Sequence, residues 1–270
     1  MSSPSWRYDC SEVQIPSGVT ELDDGCFQDC SSLTSITLPE GVTSLGYACF
    51  RGCSSLTSIT LPKSLTSLDG ACFYNCASLT SISIPEGITS LGYGCFRDCS
   101  SLTSIDIPEG VTSLGSTCFS NCSSLTSVTL PESVTSIGAE CFYYCTSLTS
   151  IDIPDSVTRL ENHCFAYCDA LTSIALPESV TYIGDSCFQN CSSLTSINIP
   201  ESVTRLGIAC FRYCSNLTLA TVLPAVPPFL GSWAFNNVHT SFNIKVHSPY
   251  AYDYITASGW SAYADIISAI

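Results

Sequence analysis

The sequence predicts a repeat solenoid, a stack of near-identical coils closed at its ends by caps. Three observations predict it. Proline recurs at 16, 39, 62, 85, 108, 131, 154, 177 and 200, a spacing of 23 without slippage. The pair Cys-Phe recurs with the same period from Cys26-Phe27 to Cys210-Phe211, and a second cysteine follows each first one by four. Within a unit the apolar positions read L-x-x-I-x-L, as in Leu56, Ile59 and Leu61. Those are too few to enclose a core unless neighbouring units share it.

The unit Cys49 to Ala71 shows how each element arises. Ile59 and Leu61 alternate with Ser58 and Thr60, the period-two pattern of a short strand. Pro62 ends it, having no donor for a ladder. Leu65 and Leu68 re-enter the core from a second extended piece. In the next unit Cys72, Phe73 and Cys76 suit one short helical or 3₁₀ turn facing inward. Parallel strands stack about 4.8 Å apart, so equivalent side chains fall into columns. One column is Phe27, Phe50, Phe73, Phe96, Phe119, Phe142, Phe165, Phe188 and Phe211; another is Cys26, Cys49, Cys72, Cys95, Cys118, Cys141, Cys164, Cys187 and Cys210.

Three regions follow. Residues 1–25 read as an N-terminal cap and degenerate half-unit, with Cys10, Val13 and Ile15 in core positions and Trp6 and Tyr8 shielding the first coil. Residues 26–217 hold eight full units and a partial ninth, whose register is expected to fail after Leu217. Residues 218–270 read as a C-terminal cap. There Phe242, Ile244 and Val246 alternate like a final strand, Ser248-Pro249 starts a helix with Ser as its cap, Ser258-Gly259 stops it, and a last helix runs from Trp260 toward Ala269.

Apolar residues make up 45% of the 270 and charged residues only 11%, so Ser, Thr and Asn must cover the surface. A net charge of −15 argues against nucleic acid and anionic membrane as partners, since both need clustered Lys and Arg. No apolar run approaches the roughly 18 residues of a membrane span, and the start Met1-Ser2-Ser3-Pro4 carries no visible leader.

The pattern C-x-x-L-x-x-I-x-L-P-x-x-V-x-x-L-G-x-x-x-F resembles the BspA-like leucine-rich repeats, and Pro227 to Phe235 and Gly259 to Asp265 resemble that family's C-terminal cap. The resemblance implies a curved right-handed leucine-rich-repeat superhelix with a parallel sheet on its concave face and short extended or 3₁₀ segments on its convex face. It implies adhesion or ligand binding at a cell surface, without catalysis. Two features depart from the family: Cys stands before Phe where Ala is usual, and Val246-His247 stands where Val-Pro is usual.

Nineteen cysteines admit three readings. They are read as buried, reduced, small apolar side chains. Disulfides between stacked neighbours would satisfy the distance window, but nine in a column pair badly. A zinc site from Cys26, Cys30, Cys49 and Cys53 lacks the usual C-x₂-C knuckles. Compartment signals conflict: the resemblance implies the cell surface, while unpaired thiols suit a reducing cytoplasm.

No catalytic, metal or cofactor constellation is found. His163, His239 and His247 are the only histidines, with His163 at a turn position. No P-loop or G-x-S-x-G occurs. Asp106 and Asp152 lie two units apart, about 10 Å by strand spacing, wide for a catalytic pair. Three Asn-x-Ser/Thr matches, at Asn121, Asn190 and Asn216, read as products of the repeat.

Two columns and one variable patch could bind. Thr37, Thr60, Ser83, Asp106, Thr129, Asp152, Ala175 and Asn198 are expected to line the concave sheet beside an unvarying serine column, Ser35 to Ser196. After each repeat proline from Pro39 to Pro200 stands Glu or Asp (Glu40, Glu86, Glu109, Glu132, Asp155, Glu178, Glu201), except Lys63; such stacked like charges would welcome a basic partner or cations. Arg51, Tyr74, Arg97, Tyr143, Tyr144, Tyr167, Arg212 and Tyr213 vary beside the convex turn. The leading expectation is a non-enzymatic scaffold, monomeric, that binds a protein or glycan ligand. The alternative is a purely structural or self-assembling rod. Ice binding by a Ser-x-Thr array is set aside because Asp106, Asp152, Ala175 and Asn198 interrupt it.

Overall fold

The computed structural model describes residues 12–270, so the expected shield of Trp6, Tyr8 and Cys10 lies outside the described residues. The chain winds into a parallel-strand solenoid of about eleven turns. Each coil contributes to three ladders that run along the axis.

The first ladder holds the serine-flanked strands, among them Ser35–Thr37, Ser58–Thr60, Ser104–Asp106 and Ser127–Thr129. In each, the middle residue is buried and its neighbours are exposed. Pairing is parallel and in register by one period: Val13 faces Ile36, and Ile36 faces Ile59. Asp152 and Ala175 pair only as an isolated bridge.

The second extended piece is a ladder in its own right. It runs from Glu21–Leu22 to Phe229–Leu230 as a six-stranded and a four-stranded parallel sheet. Two residues per coil suffice because Leu45, Leu68, Leu91 and their equivalents plug the core from this side.

Threonine columns lock both ladders. Thr57 Oγ1 donates to Thr34 O at 3.3 Å and Thr126 Oγ1 to Thr103 O at 3.0 Å in the first. Thr43 Oγ1 donates to Thr20 O and Thr135 Oγ1 to Thr112 O, both at 3.2 Å, in the second. Each hydroxyl thus joins its coil to the one before, adding a side-chain rail to the backbone bonds.

The Cys-Phe-x-x-Cys segment differs from the 3₁₀ turn expected. It does make bonds of the i to i−3 kind: Cys49 N–H to Gly46 O, Arg51 to Ala48 and Cys53 to Phe50, at 3.1–3.2 Å. The intervening amides point along the axis, Phe50 N–H donating to Cys72 O at 2.8 Å and Gly52 to Tyr74 O at 2.7 Å. This alternation is possible because two residues per turn take left-handed backbone, Ala48 at φ 55° and Gly52 at φ 75°. A helix would point every amide the same way and leave the next coil unbonded. The segment is therefore a third ladder built from turns.

Between the ladders lies the core. Consecutive phenylalanine rings from Phe27 to Phe235 stack with centroids 5.3–5.6 Å apart and planes within 9° of parallel. That lies in the range where near-parallel aromatic rings attract one another. Gly115 shows what the stacking costs in sequence freedom: a Cβ there would come within 2.6 Å of the Gly92 carbonyl carbon.

The ninth unit keeps its register beyond Leu217, contrary to expectation. Ser196 faces Leu219 and Ile199 faces Val222, still 23 apart. The offset becomes 24 at Leu206 facing Leu230 and Phe211 stacking on Phe235. One residue is thus inserted between Val222 and Phe229, in the Pro-rich stretch. The cap uses that stretch. Tyr254 and Trp260, both fully buried, donate to Pro224 O at 2.8 Å and Pro228 O at 2.7 Å. A 3₁₀ turn Ser248–Tyr250 leads into helix α1, Ala251–Thr256. His247, not Ser248, precedes that turn, and no side chain caps it. The last helical segment, Trp260–Ile266, is 3₁₀ and gives way to a strand, Ile267–Ala269, that pairs with Asn243–Val246. Phe242, Ile244 and Val246 are buried, but their strand is the penultimate one.

Candidate interaction surface

The outward column of the first ladder is set by the strand period: with Ile59 buried, Ser58 and Thr60 must face solvent. Thr37, Thr60, Asp106, Thr129 and Asn198 sit on strands, Asp152 and Ala175 on the isolated bridge, and Ser83 on an extended segment outside the strands of the first ladder; all eight are exposed. They form a line with one side chain per coil, not a cluster. Asp106 faces Thr129 and Asp152 faces Ala175, so the two aspartates do not meet.

Two shallow depressions mark this face. One of about 480 Å³ is lined by Ser81, Ser83, Glu86, Ser104, Asp106 and Glu109. The other, about 400 Å³, is lined by Ser173, Ala175, Glu178, Ser196 and Asn198. The first gathers three carboxylates and hydroxyls, the second one carboxylate, hydroxyls and an amide. Both offer hydrogen-bond partners over a broad area and no enclosed cleft.

The turn ladder carries the variable Arg and Tyr residues as stacked pairs. The guanidinium groups of Arg51 and Arg97 both approach the Tyr74 ring, 4.9 and 5.6 Å from its centroid. Tyr144 stacks on Tyr167 at 4.4 Å, with Tyr143 edge-on to both. Arg212 lies over Tyr213 at 4.7 Å. His163 occupies a left-handed turn position.

From Cys49 to Cys214 the thiols are chemically quiet. The cysteines from Cys49 to Cys214 form no disulfides. Each second-column thiol from Cys53 to Cys214 donates to a phenylalanine carbonyl of an earlier coil, as Cys53 Sγ does to Phe27 O at 3.2 Å and Cys99 Sγ to Phe73 O at 3.1 Å. Burial pushes the Cys95, Cys141 and Cys214 thiols up to about 12, and it raises their neighbours Cys72, Cys118 and Cys191 too. A thiol held protonated is neither a nucleophile nor a ligand. Among the described residues no three His, Cys, Asp or Glu side chains are grouped to hold a metal ion, and no helix is long and apolar enough to cross a membrane.

A crystal structure of a leucine-rich repeat protein from Bacteroides ovatus superposes with a TM-score of 0.81 at 29% identity, over 91% of this chain and 65% of that one. Another, from Eubacterium ventriosum, gives a TM-score of 0.58 at 25% identity, over 88% of this chain and 66% of that one. This chain therefore spans just under two thirds of their lengths. The pneumococcal vaccine antigen PcpA shares the fold, with a TM-score of 0.56 at 17% identity, over 96% of this chain and 77% of that one. A search of curated proteins finds no match. The family model described as a BspA type leucine rich repeat region, in 6 copies, matches residues 6–125 and 90–218. The chain belongs to the BspA-type leucine-rich-repeat family.

Proposed function

We propose that this chain is a non-enzymatic scaffold that binds a protein through the outward column of its first ladder, in an adhesive or ligand-binding role at a cell surface. One observation carries the reading. On a coil whose core positions hardly vary, this exposed column changes from Thr to Ser, Asp, Ala and Asn. A scaffold that fixes the backbone while freeing one face to vary is how repeat proteins present binding surfaces. The test is an array of extracellular-matrix and cell-surface proteins probed with the purified chain. The same array is then probed with a variant carrying Thr60→Arg, Asp106→Lys, Asp152→Lys and Asn198→Arg. Binding that the variant loses while keeping its melting temperature supports the proposal. Binding that the variant retains sinks the assignment to this face.

A further inference from the structure

The outward column of the second ladder changes character toward the C-terminus. From Ser44 through Ser136 it is serine in every coil, and then it reads Arg159, Tyr182, Arg205, Phe229. These four interlock. The Arg159 guanidinium lies 3.9 Å from the Tyr182 ring centroid, and that of Arg205 lies 4.4 Å from Phe229 and 6.0 Å from Tyr182. Trp233 follows Phe229 by four residues on the same coil. Ala209 N–H bonds to Ser232 O, which brings the turn holding Trp233 onto the coil that holds Ile208. Arg212 lies 5.8 Å from the Trp233 ring.

This stretch also concentrates exposed apolar surface. Among the large hydrophobics that solvent reaches, Ile208, Tyr213, Val226, Phe229 and Trp233 all fall between residues 208 and 233; Phe229 is 55% and Trp233 59% exposed. Trp, Tyr and Arg around an apolar centre are the residues that dominate protein interfaces, and soluble monomers rarely expose such patches without use.

The charges here say what covers the patch. Across a chain of net −15, this area holds Arg159, Arg205 and Arg212 interspersed with Glu161 and Asp185. Arg159 touches Glu161 at 3.0 Å and Arg205 approaches Asp185 at 3.9 Å, all part-exposed. The patch is locally near neutral and carries both signs about an apolar centre. A two-fold axis through such a surface sets Arg of one copy against Asp of the other twice over, which is what an isologous interface requires. Repulsion from the remaining carboxylates is screened beyond about 8 Å at physiological salt. We infer that this face joins a second copy of the chain in a two-fold dimer, with Phe229 and Trp233 at its centre and reciprocal Arg205–Asp185 contacts around them. It lies on a different ladder from the proposed ligand face, so a dimer would leave that face open.

Sedimentation equilibrium on the 270-residue chain tests it, across protein concentrations at physiological salt. The expected result is a mass rising from 28.8 kDa toward twice that value. The double variant Phe229→Ser, Trp233→Ser is expected to raise the dissociation constant at least tenfold. Arg205→Glu and Asp185→Arg chains are each expected to stay monomeric alone and to dimerise when mixed, because both signs then face each other again. Circular dichroism melts establish that each variant is folded. A monomeric wild type at every concentration overturns the inference. So does a dimer indifferent to these substitutions, or one unrestored by mixing, since either would place the contact elsewhere.

Discussion

Mild alkali should unfold this protein, because its core is filled with thiols. In an unfolded chain a cysteine ionises at about 8.5. In the fold, burial pushes Cys95 and Cys141 up to about 12 and raises the other cysteines from Cys49 to Cys214 as well. The native state therefore keeps protons that the unfolded state releases. The stabilisation is fully present below the unfolded value and is lost as pH climbs through it. Two such thiols in each of eight coils make sixteen. At pH 8.5 each loses about 0.4 kcal/mol, together about 6.5; at pH 9.0 each loses about 0.8, together about 13. A domain of ordinary stability has only about 5–15 kcal/mol to lose, so the alkaline midpoint is expected near pH 9. Urea unfolding followed by circular dichroism, from pH 7 to 9.5 with a phosphine reductant, measures it. The expected slope near pH 8.5 is about −11 kcal/mol per pH unit. Alanine at the eight first-column positions from Cys49 to Cys210 should halve that slope, whatever it does to the intercept. A stability flat to within about 1 kcal/mol from pH 7.5 to 9, or a slope unchanged in the alanine variant, refutes the argument.

Two further outcomes follow from the core and the turns. Phe119 is stacked at 5.5 Å on both Phe96 and Phe142 and is fully buried, so Phe119→Ala should cost about 3–5 kcal/mol; Phe27, with one described stacking partner and some exposure, should cost less when truncated, and equal losses in chemical denaturation would contradict the stacked-column account. Thr117 is a β-branched residue at φ 56° whose buried hydroxyl finds no partner; Thr117→Gly removes a left-handed strain of about 1–2 kcal/mol and the orphaned hydroxyl, so it should raise stability by about 1 kcal/mol after glycine's own flexibility is subtracted, and a lower melting temperature would show the strain was not there.

Much of this fold was legible because the chain repeats. The positions of Ile36, Ile59 and Pro62 mark the first strand and its end, and the period alone sets Phe50 over Phe27. The outward column from Thr37 to Asn198 follows from strand alternation. Three things were harder to read. The left-handed turn positions hold Gly25 and Gly94 but also Ala48, Thr117, Glu140 and His163, so the usual glycine signal is diluted; bonds to the next coil hold these residues where their own preference would not. The threonine rails had a signal, since Thr34 and Thr43 recur in each unit, but local patterning cannot show that a hydroxyl reaches across 23 residues. The extra residue before Phe229 was readable as the change from 23 to 24 between Phe211 and Phe235. Prolines at 224, 227 and 228 suggested a break instead, because their effect depends on the carbonyls that Tyr254 and Trp260 claim. The Arg–aromatic row had a signal too, since Arg159, Tyr182 and Arg205 recur at the repeat spacing after a run of serines, but the period shows only that they stack, not that guanidinium meets ring.

That one extra residue has a wider meaning. Coils this alike could be superposed on one another after a shift of a whole unit, with hydroxyl rails, rings and thiols all meeting equivalents of themselves. Nothing inside the stack says which rung is which. The odd-length rung, clasped by Tyr254 and Trp260, is the place where the count begins, and it gives an otherwise interchangeable series an origin.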